Sequence, residues 1–117
     1  MTTSTMTRQQ AAARALLTIL AHDGLAETTW TVYPGHEVSS IPELVGQIQS
    51  RRPLAEARML IETYAIVFDL TVLDELELSG TDRCAAFTEV QARGEVDGVR
   101  VHVWCAAVAT VKTGTTR

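Results

Sequence analysis

Asp97-Gly98 constrains this chain more than any other dipeptide in it. Two β-prone runs flank it, and Asp-Gly is the pair that best satisfies the positive φ angles of a two-residue type I′ turn. The turn predicts a long C-terminal hairpin and sets its register. With Val96 opposite Val99, Glu95 faces Arg100, Arg93 faces His102, Ala92 faces Val103, Gln91 faces Trp104 and Val90 faces Cys105. Opposed residues share a sheet face. Val90, Ala92, Val99, Val101, Val103 and Cys105 therefore collect on one side, and Glu89, Gln91, Glu95, Arg100 and His102 on the other. The first is a core face and the second a polar one.

The rest of the chain supplies a cover for that core face. Ala12, Leu16, Ile19 and Leu20 recur at helical spacing within Arg8 to His22, with Thr7 available as a cap and Gly24 as a stop. Thr28 to Tyr33 is β-branched and aromatic and halts at Pro34-Gly35, the pattern of a strand and turn. Residues 40 to 50 carry two patterns. Ser40-Ile41-Pro42-Glu43 resembles a capping box, whereas Gly46 and the alternation of Leu44, Gly46 and Ile48 with Val45, Gln47 and Gln49 favour a strand. The strand, about Leu44 to Gln49, is the reading taken.

Pro53 suits the first turn of a second helix, with Leu54, Ala57, Ile61, Tyr64 or Ala65, and Phe68 as its apolar stripe. On its other side Arg58 and Glu62 are spaced to interact. Thr71, Val72, Leu76 and Leu78 suggest another strand, interrupted by Asp74 and Glu75. The order α-β-β-α-β-β-β predicts an α+β fold, an antiparallel sheet of about five strands with both helices on one face. A single domain over residues 8–111 is expected, with tails at 1–7 and 112–117.

Length and charge narrow the classes of function. At 117 residues and 46% apolar composition, one domain with a buried core is the natural outcome. Ten basic against 14 acidic side chains leave a net charge of -4, which exerts no general pull on phosphate backbones or anionic lipid. The N-terminal stretch has no secretory or membrane-anchor pattern, and no apolar run approaches the roughly 20 residues that span a bilayer. A cytoplasmic protein with no membrane partner is expected, with Cys84 and Cys105 reduced and packed. The histidines at 22, 36 and 102 are scattered and no CxxC pair occurs, so neither a metal nor a cofactor is expected.

Several short segments together have a familiar outline: Thr29-Trp30-Thr31-Val32, Val45-Gly46-Gln47, Ala57-Arg58, and Gly98-Val99 running into Val103-Trp104. In these the chain resembles small, uncharacterised α+β proteins of actinobacteria. The resemblance implies a fold and a source, and no activity or site residue. The Pro34 to Glu43 loop and the Asp74-Glu75-Leu76-Glu77 segment depart from that outline.

The candidate functional residues follow from what the core leaves over. Trp104 alternates away from Val103 and Cys105 onto the polar face with Arg100 and His102, and tryptophan and arginine are typical interface anchors. Trp30, on either face of its strand, would enlarge that patch if it joined Trp104. His102 near Glu89, Gln91 and Arg93 has the minimum for acid-base work, against the plainer reading of a solvated strand histidine. A Cys105-His102 dyad fails because residues three apart on a strand point to opposite faces. Arg51 and Arg52, with Arg8, Arg14 and Arg58 in reserve, form a candidate phosphate contact; Asp69, Asp74, Glu75 and Glu77 read as a solvated acidic edge.

The expected function is a non-enzymatic protein-interaction module, a homodimer through the outer sheet face or a partner of another protein. One alternative is a DNA-associated regulatory or mobile-element accessory protein using Arg51 and Arg52. The other is a small-ligand or catalytic domain with a helix-sheet pocket near Trp30 or His102.

Overall fold

A computed structural model describes residues 5–33, 42–49, 51–80 and 86–108, with positions 5–7 described by backbone alone. The Asp97-Gly98 hairpin forms as expected. Both turn residues have positive φ, 53° and 79°, and Val96 pairs with Val99. The strands it joins, β6 (Phe87–Val96) and β7 (Val99–Val108), are the longest in the molecule's described part. Thr18 in the first helix donates its hydroxyl to Asp97 Oδ2 at 2.8 Å, which ties the hairpin tip to the helical layer.

Around this hairpin the sheet runs β1-β2-β7-β6-β4, where β1 is Thr28–Tyr33, β2 is Glu43–Ile48 and β4 is Thr71–Val72. Two further short strands sit on its flanks: β3 (Arg52–Pro53) beside β7, and β5 (Leu76–Leu78) beside β6. The acidic interruption seen in the sequence is real, since Asp74 and Glu75 separate β4 from β5.

Helix α1 (Thr5–Leu20) and helix α2 (Leu54–Phe68) cover the same side of the sheet. Ala12, Ala15 and Ile19 of α1 and Ala57, Ile61, Tyr64 and Ala65 of α2 press onto Leu44, Ile48, Val90, Ala92 and the odd-numbered residues of β7. The apolar stripe read for α2 is thus its buried face, and on α1 Ala12 and Ile19 are buried and Leu16 partly so, whereas Leu20 is 59% exposed. Asp69 ends α2 in the left-handed region, with φ 58°, a conformation that Asp adopts more easily than most residues. At the helix ends His22 meets the Phe68 ring edge-on at 4.9 Å.

The α+β class and the single helical layer hold, but the sheet is mixed rather than antiparallel and has seven strands among the described residues in place of about five. β2 runs parallel to β7, with Leu44 beside Val101 and Gly46 beside Val103. The reason is the parity of chain reversals. α2 starts where Pro53 adjoins Val108 and ends where Thr71 adjoins Arg93, so it carries the chain back along the sheet. β4 and β5 then run antiparallel to β6, and β6 antiparallel to β7, which restores the direction of β2. Such a return through a helix is how parallel neighbours are normally joined.

Local boundaries differ too. α1 begins at Thr5, so Thr7 lies inside the helix and not at its cap, and the expected 1–7 tail overlaps it. Pro53 precedes α2 at the capping position, with ψ 148°, and adds a short strand absent from the expected order. Residues 43–48 are a strand, as read. The Pro34-Gly35 turn, the Ser40-Ile41 start of the capping box, Cys84 and the 112–117 tail lie outside the described residues.

Candidate functional site: the open sheet face

With both helices on one side, the other side of the sheet carries no helix among the described residues. The strand registers lay its side chains out in rows. Tyr33, Glu43, Arg100 and Glu95 form the first, so an exposed arginine stands between two carboxylates. The next contains Thr31, Val45, His102, Arg93 and Thr71. A third contains Thr29, Gln47, Trp104 and Gln91, which sets the indole between two amides. Ala106 and Glu89 follow, with Leu76 beyond them.

Arg100, His102 and Trp104 therefore share the open face, as the hairpin register requires. Arg100 is exposed, whereas His102 and Trp104 are half-buried by their neighbours. His102 donates from Nε2 to Gln91 Oε1 at 2.8 Å, taking the amide oxygen as acceptor, and Gln91 itself is only 8% exposed. Burial is the first cause that lowers the His102 pKa; Arg93 directly opposite lowers it further, and Glu43 opposes both. Burial and Arg93 thus both favour the neutral imidazole. Its bonded partner is an amide and not Glu89, which pairs across the sheet with Ala106. The geometry orders a polar-aromatic surface better than it prepares a proton transfer.

Trp30 does not join this patch. It pairs with Gly46 on the helix side, where a Cβ at position 46 would lie 2.7 Å from its ring. Gly46 is the gap that the indole fills. Trp30 also meets Tyr64 at 6.2 Å between ring centroids, and the Tyr64 hydroxyl bonds to Thr28 Oγ1 at 2.8 Å and the Ala26 carbonyl at 3.2 Å. Burial raises the Tyr64 pKa. A shallow cleft of about 210 Å³ opens here between Leu20, His22, Thr28, Trp30 and Tyr64. It is smaller than the roughly 300–1,000 Å³ of typical small-molecule sites, and its innermost polar groups bond to one another.

Arg51, Arg52 and Arg58 each stand against a compensating group, although Arg52 Nε is buried without a hydrogen-bond partner among the described residues. Arg52 Nη1 lies 2.6 Å from Glu56 Oε2, and the Arg51 guanidinium stands 5.4 Å over the Phe87 ring. Arg58 grips Glu75 through two bonds, at 2.6 and 2.9 Å, in place of the Glu62 contact suggested by helical spacing. Each raises or lowers the other's pKa in the direction that keeps both charged. Cys105 is a free thiol buried on the valine face, its pKa pushed up first by burial, and it points away from His102. Among the described residues no three His, Cys, Asp or Glu side chains converge as metal ligands, and no helix is long and apolar enough to cross a membrane.

Sequence reading missed the contribution of β2 to this face. Its alternation already separated Val45 and Gln47 from Leu44 and Ile48, but only the pairing with β7 brings Glu43, Val45 and Gln47 beside Arg100, His102 and Trp104. No family model, no curated protein and no solved structure matches the chain.

Proposed function

We propose that the protein is a non-enzymatic interaction module that forms a homodimer by stacking its open sheet face on that of a second copy. The observation that carries this reading is Trp104, set between Gln47 and Gln91 on a face that neither helix covers. A rigid aromatic flanked by hydrogen-bonding amides combines apolar area with polar direction, which is the composition of an interface centre. The row of Glu43, Arg100 and Glu95 adds self-complementarity, because a two-fold axis can bring each arginine against carboxylates of the other copy. A reducing, cytoplasmic setting suits the free, buried Cys105.

The test is the mass in solution of the wild type and of Trp104→Ala across a concentration series. A dimeric wild type and a mutant weakened at least tenfold are expected, since tryptophan anchors commonly carry about 2 kcal/mol or more of binding. A monomeric wild type, or unchanged association in the mutant, counts against the interface.

A further inference from the structure

The two edges of the sheet are built differently. On the β6 side the edge consists of β4 and β5, of two and three residues, broken by Asp74 and by the Glu75 that holds Arg58. Short, interrupted, charged strands are a usual way to block unwanted pairing. On the other side the terminal strand among the described residues is β1, six residues reading Thr-Thr-Trp-Thr-Val-Tyr, with no charge, no proline and no bulge in its pairing to β2. Val32 and Tyr33, at its end, are 38% and 51% exposed.

The hydrogen-bond parity says which backbone groups this edge offers. The Gln49 amide donates to the Glu27 carbonyl at 3.1 Å, so Glu27 and Gln49 are a bonded pair of the β1-β2 ladder. Bonded pairs alternate along an antiparallel ladder. Residues 29, 31 and 33 therefore turn their N–H and C=O toward β2, and Thr28, Trp30 and Val32 turn theirs outward.

We propose that β1 pairs antiparallel with β1 of a second copy, about a two-fold axis through Trp30, and joins the two sheets into one. This inference stands independently of the stacking proposed for the open face. In this register Trp30 exchanges both backbone bonds with its own equivalent, and Thr28 does so with Val32, so all three outward positions find partners. Thr29 falls opposite Thr31, an uncharged pair on the open face. Glu27, the nearest charge, falls opposite Tyr33 and not opposite itself. No like charges meet, and β-branched and aromatic cross-strand pairs support the contact.

Parity also supplies the test. Val32→Pro removes an outward N–H while leaving the β2 ladder intact, as proline is tolerated on a free edge. Val32→Lys keeps the N–H and adds the charge that edges use to repel a copy. Circular dichroism checks that both variants fold. Sedimentation at matched concentrations is combined with amide exchange of Trp30 in the wild type, the two variants and Trp104→Ala, and of position 32 in all of these but Val32→Pro, which has no amide proton there. Expected are a concentration-dependent slowing of Trp30 and Val32 exchange in the wild type, at least tenfold weaker association in both Val32 variants, and retained edge protection in Trp104→Ala. The proposal is overturned if those amides exchange equally fast at all concentrations, or if both Val32 variants associate like the wild type. Association lost in Trp104→Ala with Trp30 and Val32 unprotected throughout assigns self-association to the open face and removes the edge.

Discussion

The two faces of β7 share one backbone and differ in almost everything else. Val99, Val101, Val103, Cys105 and Ala107 are at most 1% exposed beneath the helices, while Arg100, His102, Trp104 and Ala106 alternate with them on the open side. The difference teaches that alternation divides the residues but does not decide what each half is for. The helical layer assigns one half to stability, and among the described residues no helix lies over the other half, the one we propose is used for recognition.

The most forceful way to break the comparison is to hollow the covered face. Ile61→Ala removes a fully buried side chain of α2 and should cost about 2–5 kcal/mol, read as a lowered denaturant midpoint. Trp104→Ala should cost the monomer less than this and act mainly on association. If the two substitutions destabilise the monomer equally, the open face is as structural as the core and the distinction fails.

Gly46→Ala probes the covered face at its closest approach. The added methyl would enter the Trp30 ring, and overpacking of this kind costs about 1–3 kcal/mol. A change in tryptophan emission should accompany it. An unaltered midpoint would mean that the indole can move aside freely.

The smallest expected effect is on pH dependence. His102 has its pKa lowered in the folded protein, so below the ordinary value of about 6.5 the unfolded chain binds the proton more readily. The folded state therefore loses stability as pH falls from about 6.5 through the lowered folded value, and gains no further penalty below it. Thermal melts of His102→Gln should show a flatter profile over that window than the wild type. Identical profiles would mean that burial and Arg93 do not act on this imidazole as described.

Local pattern carried much of this fold. The Asp97-Gly98 turn, the register of its hairpin, the buried stripe of α2 and, but for the exposed Leu20, that of α1, together with β1 and the strand over residues 43–48, were legible because each depends on turn chemistry or periodicity within a short window. The face of Trp30 was not, since Trp30 and Val32 alternate with Thr31 and Tyr33 and either set can be read as the inward one. Arg58 likewise had Glu62 within helical reach, and only the fold offered Glu75.

What the sequence determined by itself is therefore the sorting of residues into two faces of each element, including the placement of Arg100, His102 and Trp104 together. What only the tertiary structure decided is which elements become neighbours: β2 beside β7 and parallel to it, Trp30 in the gap above Gly46, and β1 as the terminal strand of the sheet among the described residues. The physical reason is range. Alternation and turn geometry act over a few residues, whereas strand order and direction follow from how α2 returns the chain across the sheet and which side the helices bury.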